Sequence, residues 1–271
     1  MDKANGLFVC PKCGEPLTLI EKSYKCRNGH CYDVSRSTHV NLLPVNSKNS
    51  NCPGDNEEMI KARVIVMDNG YYGNLANYIA HKIKDLSPEV ILDAGCGEGY
   101  VTGALKEFFP NATVIGTDIS KSAIITASKK RKSVQYAVAS SMRLPIKEAS
   151  VDVLLCAFAP VFSEEFARVL RNKGLFVRVT PDVNHLFNLK SVLYEVPRVN
   201  ELDPIEIDGF DLISEETVTK SLDFMSEEIS ALIKMTPYFY HTPKDRIESV
   251  SNISSLNINT EFNVRIYQKK D

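Results

Sequence analysis

The stretch from Glu89 to Tyr100, E-V-I-L-D-A-G-C-G-E-G-Y, constrains this 271-residue chain more than any other part of it. A short apolar run, Val90 to Leu92, ends in Asp93, and glycines then alternate at Gly95, Gly97 and Gly99 before a helix-like run opens at Tyr100. Such a run reads as a buried parallel strand turning tightly into a helix, because glycine lets backbone approach a ligand where a Cβ would collide. Amides at a helix start also cradle polar groups. The spacing differs from the G-x-G-x-x-G that seats a pyrophosphate. Further on, Ala112 to Asp118 (A-T-V-I-G-T-D) reads as a second strand ending in an acid, where a carboxylate accepts both hydroxyls of a ribose. The bland alternative is a tight turn followed by a solvated aspartate.

The pattern D-x-G-x-G-x-G over Asp93, Gly95, Gly97 and Gly99 resembles motif I of the Rossmann-like methyltransferases, whose ligand, S-adenosylmethionine, carries no phosphate. The surrounding punctuation fits that fold. Val101 to Phe109 is expected as a crossover helix stopped by Pro110, and Ser120 as the cap of the next helix. Val134 to Ala139, Val151 to Phe158 and Leu175 to Thr180 are expected as strands, with a helix over Glu164 to Leu170. Strands alternating with helices argue an α/β doubly wound sheet. Two helical patterns, one after Asn56 and one over Leu75 to Leu86, are expected to cover one face of it. Glu216 to Lys234 reads as helix and Phe262 to Lys269 as a strand completing the sheet. Ser140 and Ser141 stand where many methyltransferases of this fold carry an aspartate against the adenine amino group, so a hydroxyl or backbone group is expected in that role. Ala159 and Pro160 follow the fourth strand at its carboxyl end, where open α/β sheets bind ligands. A helix expected from Pro181 carries His185, Phe187, Lys190 and Tyr194, each a cleft candidate whose alternative is a purely structural place.

The first forty residues hold a second motif, C-x2-C-x12-C-x3-H, over Cys10, Cys13, Cys26 and His30. Thiolates and an imidazole at this spacing suit tetrahedral zinc with no open position for catalysis. Cys31 is a rival fourth ligand, and reduced cysteines in a small core are the bland reading. Leu17 to Tyr24 fits a small hairpin with too little core to fold alone, so metal binding supplies its folding free energy. The polar run S-K-N-S-N-C-P-G-D reads as a linker, with Cys52 an exposed thiol in it. The resulting division is a zinc-binding module over 1–45, a linker and covering helices over 46–88, and a methyltransferase domain over 89–271.

The net charge of −2 argues against a chain coated in phosphate-binding residues. The charge is uneven, because residues 1 to 50 carry seven Lys or Arg against four acids. No run approaches the ~18 apolar residues of a membrane span. The opening M-D-K-A-N-G-L-F-V-C lacks the pattern of a signal peptide, so a cytoplasmic location without membrane contact is the expectation.

Taken in order, C-P-K-C-G-E-P-L, C-R-N-G-H, Val40-Asn41-Leu42-Leu43-Pro44-Val45, Pro53-Gly54-Asp55, L-D-A-G-C-G-E-G-Y, Ala139-Ser140-Ser141 with Leu144-Pro145, Ala159-Pro160 and Met235-Thr236-Pro237 resemble the 23S ribosomal RNA guanine-N1 methyltransferase family. The likeness covers nearly the whole chain. It implies a Rossmann-like class I methyltransferase sheet with a small N-terminal zinc-binding module. It implies methylation of one hairpin-loop guanine of 23S ribosomal RNA, and dimers whose zinc modules flank an RNA-binding cleft. It further implies zinc on Cys10, Cys13, Cys26 and His30, and S-adenosylmethionine around Asp93, Gly95, Gly97, Gly99, Tyr100 and Asp118, with His185 as a cofactor or cleft residue. The family has subtypes with neighbouring target guanines, one linked to macrolide resistance. No residue announces itself as the base that takes the N1 proton. Residues after the fourth strand, Ala157 to Pro160, are expected to orient the guanine, with Phe158 or Tyr194 stacking on it. The competing reading is a small-molecule methyltransferase whose zinc module serves stability, and a third is a non-enzymatic binding module on a degenerate version of the fold.

Overall fold

A computed structural model describes residues 6–44, 54–236, 238–251 and 253–271. Most of the expected linker, with Cys52 and Pro53, lies outside those residues, as does Pro237. The N-terminal module is a three-stranded antiparallel sheet of β1 (Thr18–Ile20), β2 (Ser23–Lys25) and β3 (Cys31–Asp33). The next strand, β4 (Val40–Asn41), leaves this module and pairs in parallel with β7 (Gln135–Val138). The chain leaving the module thereby supplies the last strand of the main sheet.

Helices α1 (Glu57–Asp68) and α2 (Gly73–Ile83) follow. The Asn56 side chain caps α1 by accepting from the Met59 N–H, and Glu57 and Glu58 sit in the first turn, where the helix dipole favours negative charge. The central strand β5 (Val90–Ala94) is buried at every residue, as expected of a parallel strand covered on both sides. It leads into α3 (Tyr100–Phe108), β6 (Thr113–Asp118), α4 (Lys121–Lys130), β7, β8 (Val151–Ala157), α5 (Ser163–Val169) and β9 (Leu170–Pro181). Ser120 caps α4 through its hydroxyl, as expected. After α6 (Phe187–Leu193), the chain forms β10 (Phe210–Met225), then α7 (Ser226–Lys234), α8 (Tyr238–His241) and α9 (Lys244–Ser251), and returns on β11 (Ser255–Lys269). The eight-stranded sheet runs β10-β11-β9-β8-β5-β6-β7-β4, parallel except for the β10–β11 hairpin and its antiparallel pairing to β9.

Alternation along β5 sends Ile91 into one apolar cluster and Val90, Leu92 and Ala94 into another. The first cluster lies under α1, α2, α4, α6 and α7. The second is closed by Phe166 and Val169 of α5 and by Phe8, Leu17 and Tyr24 of the zinc module. The reason is topological. No helix joins β7 to β8, and the loop between them instead bridges to the module, with the Val9 N–H donating to the Pro145 carbonyl at 2.9 Å and the Lys147 N–H to the Leu7 carbonyl at 2.8 Å. Arg168 holds the same loop from α5 through the carbonyls of Leu144 and Ile146.

The structure corrects the expected helix over Glu216 to Lys234: its first part, through Met225, is strand. Val218 and Leu222 are four apart, a spacing that suits both a helix face and alternate positions of a strand. Val218 and Phe224 are buried and Lys220 and Leu222 half-buried, while Thr219, Ser221 and Asp223 are exposed, so the operative period is two. The helix expected from Pro181 begins only at Phe187, after Leu186 in the left-handed region at φ 56°.

Candidate functional site

Two knuckle turns build the zinc centre. In the first, the Gly14 N–H donates to the Cys10 carbonyl with Gly14 at φ 76°, and in the second the Gly29 N–H donates to the Cys26 carbonyl with Gly29 at φ 80°. The ligand atoms of Cys10, Cys13, Cys26 and His30 lie within 4.8 Å of one another. Cys13 Sγ and Cys26 Sγ are 3.8 Å apart, and His30 Nδ1 is 3.4 Å from both Cys10 Sγ and Cys26 Sγ. A tetrahedron with Zn–S of about 2.3 Å and Zn–N of about 2.0 Å has edges of roughly 3.5–3.8 Å, and these three distances match such edges, so the donor set suits zinc. Cys31 is exposed and stands outside the group, which removes it as the fourth ligand. The Glu15 backbone amide lowers the Cys13 thiol to about 6, so the exposed member of the set is readily a thiolate.

At the end of β5, Asp93 is buried and accepts a 2.6 Å hydrogen bond from Thr102 Oγ1. Burial, with Asp118 and Glu98 nearby, pushes its carboxyl up to about 7. Asp118, at the end of β6, accepts from the Gly97 N–H at 2.9 Å and the Ser120 N–H at 2.8 Å, and burial pushes it up as well. The three glycines do different work. A Cβ on Gly95 would stand 2.6 Å from Ala159 Cβ, and one on Gly99 would stand 2.5 Å from Tyr136 Oη, so both admit close packing. A Cβ on Gly97 would meet nothing nearer than Arg63 Cδ at 3.9 Å. Packing therefore does not demand a glycine there, and a flexible side chain is all that a Cβ would touch.

Arg63, from α1, lies over Gly97. Its Nη2 donates to Asp55 Oδ2 at 2.6 Å, Glu98 Oε2 stands 4.0 Å from its Nε, and Nε is buried without a hydrogen-bond partner. From there a cavity of about 530 Å³, in the usual range for a small-molecule site, runs past Tyr72, Phe158 and His185 to Thr180, Arg178 and Asp203. Met235 and Tyr238, from the segment inserted between β10 and β11, line its rim. Phe158 is 41% exposed and holds φ 56°, a strained conformation for a bulky residue of the kind that clusters at functional sites. The His185 ring accepts from the Glu261 N–H at Nδ1 (3.1 Å), and burial pulls it down to about 4, so it is neutral with its proton on Nε2.

The structure therefore brings Phe158, Pro160 and His185 into one cavity, beside Asp93, Gly95, Gly97 and Asp118 at the neighbouring strand ends. It does not bring Tyr194 there: its hydroxyl accepts from Thr242 Oγ1 at 3.1 Å, and Tyr238 stands edge-on to it and lines the cavity instead. Tyr100 turns away as well, its ring beneath the Arg131 guanidinium at 5.5 Å. Ser140 lines a separate groove with Ile119 and Met142, next to Cys10 and Pro11 of the zinc knuckle, and Ser141 lines neither space. Sequence reasoning missed Arg63, Tyr72, Arg178, Thr180 and Asp203, which lie outside the glycine loop and its immediate continuation. Among the described residues no helix is long and apolar enough to cross a membrane.

Comparison with known proteins follows the same division. Residues 8–51 match the zinc-ribbon family described as RlmA, N-terminal, and residues 91–174 match a methyltransferase domain. YxjB of Bacillus subtilis strain 168, provisionally named a 23S rRNA (guanine-N(1)-)-methyltransferase, is 32% identical over 97% of this chain and 97% of its own length. The 23S rRNA (guanine(748)-N(1))-methyltransferase of Streptomyces fradiae is 28% identical over 94% of this chain and 95% of its own. A Micromonospora griseorubida protein, provisionally named for the same guanine-N(1) activity, is 29% identical over 88% of both chains.

Proposed function

This chain belongs to the 23S rRNA (guanine-N1)-methyltransferase family, and from that premise we propose that it methylates N1 of a hairpin-loop guanine in 23S ribosomal RNA. The observation that carries the reading is the fusion of a four-ligand zinc ribbon to the edge of a methyltransferase sheet, with relatives named for that activity matching nearly the whole length. S-adenosylmethionine, when bound, supplies an electrophilic methyl group on a sulfonium.

The chain's own residues hold and aim the reactants. Asp93, Gly95, Gly97, Gly99 and Asp118 form the cofactor side, with Gly97, which packing does not require, admitting the ligand and Arg63 above it as a cation for a carboxylate. Ser140, beside Ile119, is assigned to the adenine end, with Ser141 next to it in sequence and Tyr100 as support behind the loop. Phe158 is the stacking platform for an extruded guanine, and Tyr72 and His185 wall the space between the two ligands. Because methyl transfer needs the acceptor lone pair in line with the bond that breaks, positioning supplies most of the rate. Residues 1–45 serve as the RNA-recognition module, the helices within 46–88 as cover, and 89–271 as the methyltransferase domain. A homodimer with the zinc modules flanking the RNA, in the cytoplasm, completes the reading.

The test is methylation of protein-free 23S RNA with labelled S-adenosylmethionine, read by reverse-transcription stops. A stop at a single hairpin guanine supports the reading, and none on naked RNA or on ribosomal particles sinks it. The net charge of −2 favours, as a second reading, a small-molecule acceptor, which a screen of small acceptors with the same labelled cofactor would find.

A further inference from the structure

The proposed reaction leaves one chemical demand unmet. Guanine N1 carries a proton at neutral pH, and its lone pair becomes available only as that proton leaves. The cavity holds two carboxylates among its lining residues. Asp55 stands at the cofactor end, paired with Arg63. Asp203 lines the same cavity and is tied through Arg178 to the loop carrying Phe158 and Pro160, the residues assigned to the acceptor base.

The surroundings of Asp203 look built rather than incidental. Its backbone carbonyl accepts from Arg265 Nη1 at 2.8 Å, and Arg265 is itself 1% exposed, anchored to Glu215 at 2.8 Å. Its carboxylate takes a 2.7 Å bond from Arg178 Nη2 on Oδ2. Arg178 is fixed in turn by the Ala159 carbonyl at 2.6 Å and by Cys156 Sγ at 3.5 Å, so it ties Asp203 to the loop after β8 that carries Phe158 and Pro160. Oδ1 makes no hydrogen bond among the described residues, and the side chain is half exposed. Two residues along β9 from Arg178, the Thr180 hydroxyl lines the same cavity, buried and without a partner. A buried orphan hydroxyl is costly unless a ligand completes it.

We propose that Asp203 reads the Watson–Crick edge of the target guanine and takes its N1 proton, with the Thr180 hydroxyl donating to O6. The inference rests on the ribosomal RNA reading above. Guanine offers two donors side by side, N1–H and N2–H, and one acceptor, O6; a carboxylate and a hydroxyl are their complements. In the step, the N1–H bond breaks toward Asp203 Oδ1, the N1 lone pair forms the new N–CH₃ bond, and the S–CH₃ bond breaks with its electron pair left on sulfur. The sulfonium becomes a neutral thioether, and the carboxyl later releases its proton to water. The charged and titratable groups around Asp203 are Arg178 on β9, Arg265 on β11, Cys156 on β8, neutral His185 before α6, and Arg63 with Asp55 across the cavity.

The test compares Asp203→Asn with the wild type on 23S RNA, using single-turnover rates over pH 6 to 9 alongside cofactor binding. The amide oxygen keeps the Arg178 contact, so binding of S-adenosylmethionine should stay within about twofold. Loss of a general base should lower the rate by about 100-fold or more, and the remaining rate should rise more steeply with pH than the wild type's, because N1 must then ionise unaided. A variant with the wild-type rate and profile overturns the proposal while leaving the ribosomal RNA reading intact. A wild type that methylates no guanine overturns both. RNA with inosine at the target tests the same contact without any variant: lacking N2–H₂, it should lose at least several-fold in kcat/KM with the wild type, and equal use of the two bases overturns the assignment.

Discussion

At the scale of single residues, neighbouring glycines in one loop separate folding from binding. Gly99 is at φ 80°, and its missing Cβ is what lets Tyr136 Oη and Ala127 pack against the loop. Gly99→Ala should therefore cost roughly 2–4 kcal/mol from left-handed strain and overpacking together, visible as a lower midpoint in urea unfolding. Gly97→Ala, at φ 55° with only the Arg63 side chain at ordinary contact distance, should cost only about 1–2 kcal/mol yet weaken S-adenosylmethionine binding by more than tenfold in calorimetry. Asp93 makes a second contrast. Its carboxyl is raised from 3.8 to about 7 by burial, so in the folded chain it keeps a proton that the unfolded chain has lost. Stability from this group is thus greatest at low pH and falls as pH rises from about 4 to about 7, by a few kcal/mol over the whole window. Asp93→Asn removes that slope. Its stability relative to wild type should improve between pH 5 and pH 8 in urea titrations, while cofactor affinity falls; a constant difference between the two chains would contradict the burial argument.

At the scale of elements, the parts legible in the sequence were those whose chemistry is local. The order Asp93, Gly95, Gly97, Gly99 and Asp118 fixes two strand ends and the turn between them, and C-x2-C with C-x3-H fixes two knuckles, because each depends on residues a few positions apart. The β10 strand was misread because Val218 and Leu222 satisfy two periods at once, and only the pairing of Val218 with Phe262 decides between them. The cavity's far wall was illegible for a related reason. Arg178, Asp203 and Arg265 come from two strands and a loop, and an arginine in a strand gives no sign of which carbonyl it will hold. Nor did composition show that Phe8 would take the place of a crossover helix. Phe8 is 1% exposed, packs edge-on to Tyr24 at 5.4 Å and bridges to Ile146. Phe8→Ala should cost about 3–5 kcal/mol, and hydrogen exchange should show the loss of protection reaching Leu144 to Lys147 as well as the module itself.

At the scale of the whole molecule, the question is whether the zinc ribbon is an appendage or a structural part of the enzyme. Sequence reasoning treats it as separable: Cys10→Ser or Cys26→Ser then removes zinc and RNA methylation and leaves cofactor binding untouched. The structure joins the two by backbone. Val40 and Asn41 pair with Ala137 and Val138 of β7, the Leu42 N–H donates to the Val138 carbonyl at 3.0 Å, and the module covers the sheet face that no β7–β8 helix covers. Since β1, β2 and β3 are three residues each, the module depends on its metal for much of its folding free energy. Removing zinc should then expose Leu144, Ile146 and the outer side of β7 together. With a strong chelator, thermal unfolding of the full chain should shift downward as one transition, and S-adenosylmethionine binding should weaken because Ser140 and Ile119 lie at the loosened edge. Two separate transitions, with the later one and cofactor affinity unchanged by the chelator, would instead make the ribbon an independent domain. One joint shift would mean that this enzyme cannot hold its cofactor firmly without the metal that organises its N-terminal ribbon.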